Sequence, residues 1–99
     1  MAAPRQLPKL WDFGAERCIP CKTMASILNP MMQEFAGRVE IRMIDVYSEQ
    51  ALASKYRIMI IPTQVFMDTL GRELWRHVGV LSRDSILLKF REFGFVAKR

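Results

Sequence analysis

The chain has 99 residues, 51% of them hydrophobic and 25% charged, which is enough for one core and too few to give a second domain its own. Its formal charge is +5, yet Lys55, Arg57, Arg72, Arg76, Arg83, Lys89 and Arg91 are scattered among acids and only Lys98 and Arg99 form a short basic end, so no stripe suited to nucleic acid is present. No apolar run approaches the roughly 18 residues of a membrane span, and Met1 to Leu10 carries two prolines and two cations where an export signal would be apolar; the expectation is a cytoplasmic protein with no membrane insertion, a trimmed exported or periplasmic form being the alternative.

Residues 1–7 are expected to be a flexible lead-in. Leu10 to Phe13 is a short apolar run meeting Gly14 and reads as a buried strand, with Asp12 placed where an acid is expensive. From Cys18 the chain reads as helix, with Met24, Ile27 and Leu28 on one face, and Pro30 is expected to kink or break it before a second piece from Met31 to Phe35 that stops near Gly37. Residues 39–46 alternate as a second strand through Val39, Ile41 and Met43. Ser48 is expected to cap a helix through Tyr56 whose inner face is Ala51, Leu52 and Tyr56.

Strand, helix, strand implies a right-handed crossover and a parallel pair. Beyond Pro62, Thr63 to Met67 and Arg72 to Gly79 flank a turn at Asp68 to Gly71 and predict an antiparallel hairpin. Ser82 then caps a last helix carrying Ile86, Leu87, Phe90 and Phe93, which ends at Gly94 before a basic tail over 96–99. The expected architecture is a single α/β domain over residues 1–99, a central mixed sheet of about four strands in the order βαβαββα, flanked by helices.

Cys18 and Cys21, in Arg17-Cys18-Ile19-Pro20-Cys21-Lys22, are the only cysteines. At the start of a helix, residues three apart share a face with Cα atoms roughly 5–6 Å apart, a separation that suits a disulfide. So short a loop removes little entropy from the unfolded chain, which weakens a purely structural role. Two cysteines are also no disulfide framework. A zinc site needs four ligands, and beyond this pair only His77 is a strong candidate. His77 and Trp75 read as packing or surface residues. The pairing that remains is a redox dithiol.

The order βαβαββα with C-x-x-C between the first strand and first helix resembles the thioredoxin fold. Asp12 to Lys22 is similar to the active-site segment of that family. Lys55-Tyr56-Arg57-Ile58 through Ile61-Pro62-Thr63 is similar to its cis-proline segment, and Val78-Gly79 to the pair beside its substrate groove. Arg17 stands in place of the usual Trp and Ile19 in place of the usual Gly. The helix-kinking proline would fall at Ser26, and Met43 occupies the position of a lysine that partners the buried acid. About ten residues precede the first strand, so the extra N-terminal strand and helix of full thioredoxins are not expected.

The resemblance implies a protein-disulfide reductase without a prosthetic group or metal, and a monomer. Cys18 would be the nucleophile, held at the helix cap where free N–H groups and the macrodipole favour a thiolate. Arg17 and Lys22 add cationic charge nearby, unless they are simply solvated. Pro20 fits the first helical turn and stiffens the dithiol. Ile19-Pro20 lacks the histidine of strongly oxidising members, which favours a reductant, whereas Arg17 acts the other way by stabilising the reduced thiolate. Cys21 would be the resolving thiol.

Asp12, if buried, would accept the proton of Cys21; the alternative is an exposed carboxylate at a strand end. Pro62, if cis rather than trans, would present the Ile61 backbone to an extended substrate, with Thr63, Val78 and Gly79 bordering the groove. The implied partners are protein or peptide disulfides and an external dithiol electron donor, either a flavin-dependent reductase or a membrane thiol carrier. A specialised exported reductase and a non-catalytic binding module of the same fold are the alternatives.

Overall fold

Alternation along the first strand divides its side chains between two apolar cores. The computed structural model describes residues 6–97. Residues 1–5, 98 and 99, on which most of the expected lead-in and basic tail fall, lie outside the described residues. Strand β1 (Lys9–Gly14) is followed by α1 (Ile19–Glu34), β2 (Glu40–Asp45), α2 (Gln50–Lys55), β3 (Thr63–Met67), β4 (Glu73–Val78) and α3 (Arg83–Glu92), the βαβαββα order expected. The sheet order is β2-β1-β3-β4. It is mixed: β1 pairs parallel with β2 and antiparallel with β3, and β3 and β4 form the hairpin.

On one face Leu10, Ile41 and Phe66 pack against Met24, Leu28 and Met31 of α1 and Ile86 and Phe90 of α3. On the other, Phe13, Ile44, Val65 and Met67 are closed over by Leu52, Ala53 and Tyr56 around α2. With both faces covered, every residue of β3 is buried. Each large side chain so buried contributes about 1.5–3 kcal/mol. Leu81, buried in the loop after β4, donates its backbone N–H to Met24 Sδ at 3.3 Å and pins that loop to α1.

Four local expectations are corrected. Helix α1 does not break at Pro30 but runs unbroken to Glu34. Pro30 and Ser26, whose carbonyl loses its helical donor, both face solvent, so the missing bond falls on the exposed side of the helix. Met24, Leu28 and Met31 meanwhile hold both halves against one core. Ser48 is not the cap of α2; Glu49 occupies that position without a side-chain bond, and Ser48 belongs to a turn whose amides at 47 and 48 bond Asp45 Oδ1. The inner face of α2 uses Ala53, not Ala51, because at about 100° per residue Ala53 lies nearer the face shared by Leu52 and Tyr56, and Ala51 is exposed. Met43 does not continue the buried alternation of β2: it is 37% exposed, beside a cavity next to the first turns of α1.

Candidate active site

The ends of three strands meet where the cysteines lie. Phe13 pairs with Thr63, and Thr63 with Val78, so the adjoining residues Gly14, Pro62 and Gly79 come to the same end of the sheet. The chain leaves β1 at Gly14, turns, and enters α1 through Cys18. Cys18 is the N-cap, in extended conformation, and its Sγ accepts the backbone N–H of Cys21 at 3.3 Å. Pro20 sits in the first turn, where its missing donor is no loss, and that turn carries no acid to oppose an anion.

Cys18 and Cys21 are joined as a disulfide with Cα atoms 5.1 Å apart. Cys18 is half-buried and Cys21 buried. The two sulfurs therefore differ in access, as an attacking and an internal thiol require. Gly14 is needed for close approach: a Cβ there would lie 3.1 Å from Cys21 Sγ. Arg17, Ile19, Pro20 and Lys22 surround Cys18 and are exposed, so the field of the two cations is screened by solvent.

Asp12 shares the face of Leu10, two residues earlier on β1, and is only 3% exposed. Burial pushes its carboxyl up to about 6, against the opposing pull of a hydrogen bond from Gln64. Strand register places Met43, Asp12, Gln64 and His77 in one row across the sheet. Gln64, fully buried, donates from Nε2 to Asp12 Oδ1 and to the Gly79 carbonyl, both at 3.0 Å, and His77 Nδ1 lies 3.0 Å from Gln64 Oε1. A cavity of about 180 Å³ touches both Asp12 and Cys21 and extends to Ala25, Met43 and Asp45.

The Ile61–Pro62 peptide bond is cis. Pro62 is buried, and its carbonyl accepts the Gly79 N–H at 2.8 Å. Thr63 is buried and donates its hydroxyl to the Ile60 carbonyl at 2.6 Å. Gly79 has φ of 99°, a conformation that a side chain would oppose. Beside the exposed cations Arg17 and Lys22, the apolar side chains of Ile19, Ile60, Val78 and Val80 on these segments are also exposed.

The structure thus gathers Cys18, Cys21 and Asp12 with the Ile61–Thr63 and Val78–Gly79 segments at one end of the sheet, and His77 joins as a hydrogen-bond partner. Sequence reasoning passed over Gln64. Its signal is an amide within an otherwise apolar strand, which acquires meaning only when strand pairing sets it opposite an acid. Gly14 was read as a strand end; its closeness to Cys21 comes from the fold.

A thioredoxin family model matches residues 3–92. The chain is 37% identical to thioredoxin C-2 of Corynebacterium nephridii over 81 residues, which cover 82% of this chain and 74% of that protein. It is 34% identical to a thioredoxin of Haemophilus influenzae over 80 residues, 81% of this chain and 74% of that one. A thioredoxin of Staphylococcus epidermidis is 35% identical over 79 residues, 79% of this chain and 74% of the relative. With the mixed four-stranded sheet and a bonded cysteine pair at the head of α1, these matches establish that the chain belongs to the thioredoxin family.

Proposed function

We propose that this thiol-disulfide oxidoreductase reduces protein disulfides with Cys18 as nucleophile, Cys21 as resolving thiol and Asp12 as proton acceptor. The observation that carries the reading is the Cys18–Cys21 bond at the N-terminus of α1 with a buried carboxyl sharing a cavity with its inner sulfur. Reduced Cys18, favoured as a thiolate by the helix terminus, attacks one sulfur of the substrate disulfide and releases the other as a thiolate. Cys21 S–H gives its proton to Asp12. The Cys21 thiolate then displaces the second substrate thiolate from Cys18 and forms the Cys18–Cys21 bond. Two electrons have passed to the substrate, and an external dithiol returns them.

Ile61, Pro62, Thr63, Val78 and Gly79 are the surface on which an extended substrate strand rests, its apolar side chains meeting Ile19, Met59 and Ile60. Arg17, Ile19, Pro20 and Lys22 tune the dithiol. No helix among the described residues is long and apolar enough to cross a membrane. We assign the protein to the cytoplasm as a monomer that takes electrons from a flavin-dependent reductase.

Cys18→Ser should abolish insulin reduction with a chemical dithiol donor, and Cys21→Ser should accumulate mixed disulfides on Cys18. Trapped cytoplasmic proteins support the assigned compartment; trapped exported proteins would replace it with export and a membrane thiol carrier. Insulin reduction undiminished in Cys18→Ser would sink the reading.

A further inference from the structure

We propose that Gln64, clamped between the Gly79 carbonyl and the His77 ring, is the positioning residue that holds one oxygen of Asp12 and leaves the other facing the cavity at Cys21. The inference rests on the reading of Asp12 as proton acceptor. A carbonyl oxygen only accepts, so the contact from Gln64 to Gly79 O at 3.0 Å fixes which end of the amide is Nε2. The second N–H of that nitrogen is then the donor to Asp12 Oδ1, also at 3.0 Å. Oε1 is left to accept, so His77 must carry its proton on Nδ1. The amide has no second orientation that satisfies all three partners.

The arrangement does two things for Asp12. It occupies Oδ1, and among the described residues Oδ2 has no hydrogen-bond partner, so the cavity is its outlet. It also supplies the one polar partner of the carboxyl among the described residues, where β2 offers only Met43 in the same row. A neutral amide favours the ionised carboxylate less than a cation would, which leaves the group basic enough to take a proton near neutrality. The titratable groups around Asp12 are Cys21 on α1 and, at the cavity rim, Asp45 on β2, whose Oδ1 is bound by the amides of residues 47 and 48. On β4, His77 reaches Asp12 only through Gln64. Nδ1 donates whether the ring is neutral or protonated, so the clamp persists when His77 ionises.

The test follows the Asp12 carboxyl itself, by its carbon resonance during a pH titration of the protein, together with the pH profile of mixed-disulfide resolution. Gln64→Met keeps the shape and removes the donor. The Asp12 titration should move up by about one pH unit, the worth of a hydrogen bond to a charged group. Resolution should slow about twofold at pH 7 and approach tenfold at pH 5, as the ionised fraction falls. His77→Phe, which frees only one end of the clamp, should move the titration less and in the same direction; it serves also if Gln64→Met does not fold. An Asp12 titration unmoved in the folded variant overturns this inference. Resolution kinetics unaffected by Asp12→Asn would instead overturn the role of Asp12, and the resonance would still report whether Gln64 holds it.

Discussion

Burial of Asp12 under the first turn of α1 destabilises the folded protein wherever that carboxyl is ionised. The unfolded chain releases the proton near 3.8, whereas the folded one holds it until about 6. Between those values the folded state binds more protons than the unfolded, so stability falls as pH rises through this window and the loss is complete above it. The difference corresponds to ~3 kcal/mol at neutral pH. Asp12→Asn, which can keep an acceptor for Gln64, should therefore be more stable than the wild type by up to about 3 kcal/mol at pH 7 and should match it near pH 3, where both side chains are neutral. Urea denaturation at the two pH values checks this; an equal offset at both would show that the carboxyl's ionisation is not responsible. Under the proposed role of Asp12 as proton acceptor, the stabler protein should be the slower reductase.

The helices show how far local chemistry reaches. Ser82 caps α3 as its position before the apolar periodicity suggests, accepting the Ser85 N–H at 3.1 Å. Ser82→Ala should lower stability by about 1 kcal/mol in thermal or urea unfolding and leave insulin reduction intact, because the cap serves the helix and touches neither sulfur. The cap of α1 is Cys18, so there the same backbone geometry that ends a helix also presents a sulfur to its N–H groups. Pro30 was legible as a helix breaker and does not act as one. Its missing bond falls on the solvated side of α1, while the buried stripe continues through Met31 to Phe35. Propensity is a local quantity, and core packing outweighs it here.

The two cores share β1 and β3, so neither half of the molecule has an independent sheet. Trp11 reports one side, with its ring 5.7 Å from Tyr56, and Trp75 the other, with its ring 5.5 Å from Phe66. Phe66→Ala, in the cluster with Phe90 and Phe93, should cost about 3–5 kcal/mol. It should shift the Trp11 transition as far as the Trp75 transition, because a small domain unfolds as one unit. Single-tryptophan proteins carrying Trp75→Phe or Trp11→Phe, followed by fluorescence in urea beside far-ultraviolet circular dichroism, measure this directly. A Trp11 signal that survives after Trp75 has melted would show two units where one is expected.

Element order, the hairpin and the cysteine pair were legible from spacing and periodicity, since each depends on residues near one another in the chain, and the parallel pair followed from the strand-helix-strand order. Asp12 could be picked out as a carboxylate in an apolar run. Its environment could not: the partner amide of Gln64 lies 52 positions away in the chain and becomes its neighbour only through the β1 and β3 register. Gly14 against Cys21, and Met43 opening onto a cavity, likewise arise from how layers stack. Turn and helix chemistry act over a few residues and can be read in one dimension, whereas the surroundings of a buried charge are set by strands that pairing brings together from distant parts of the chain.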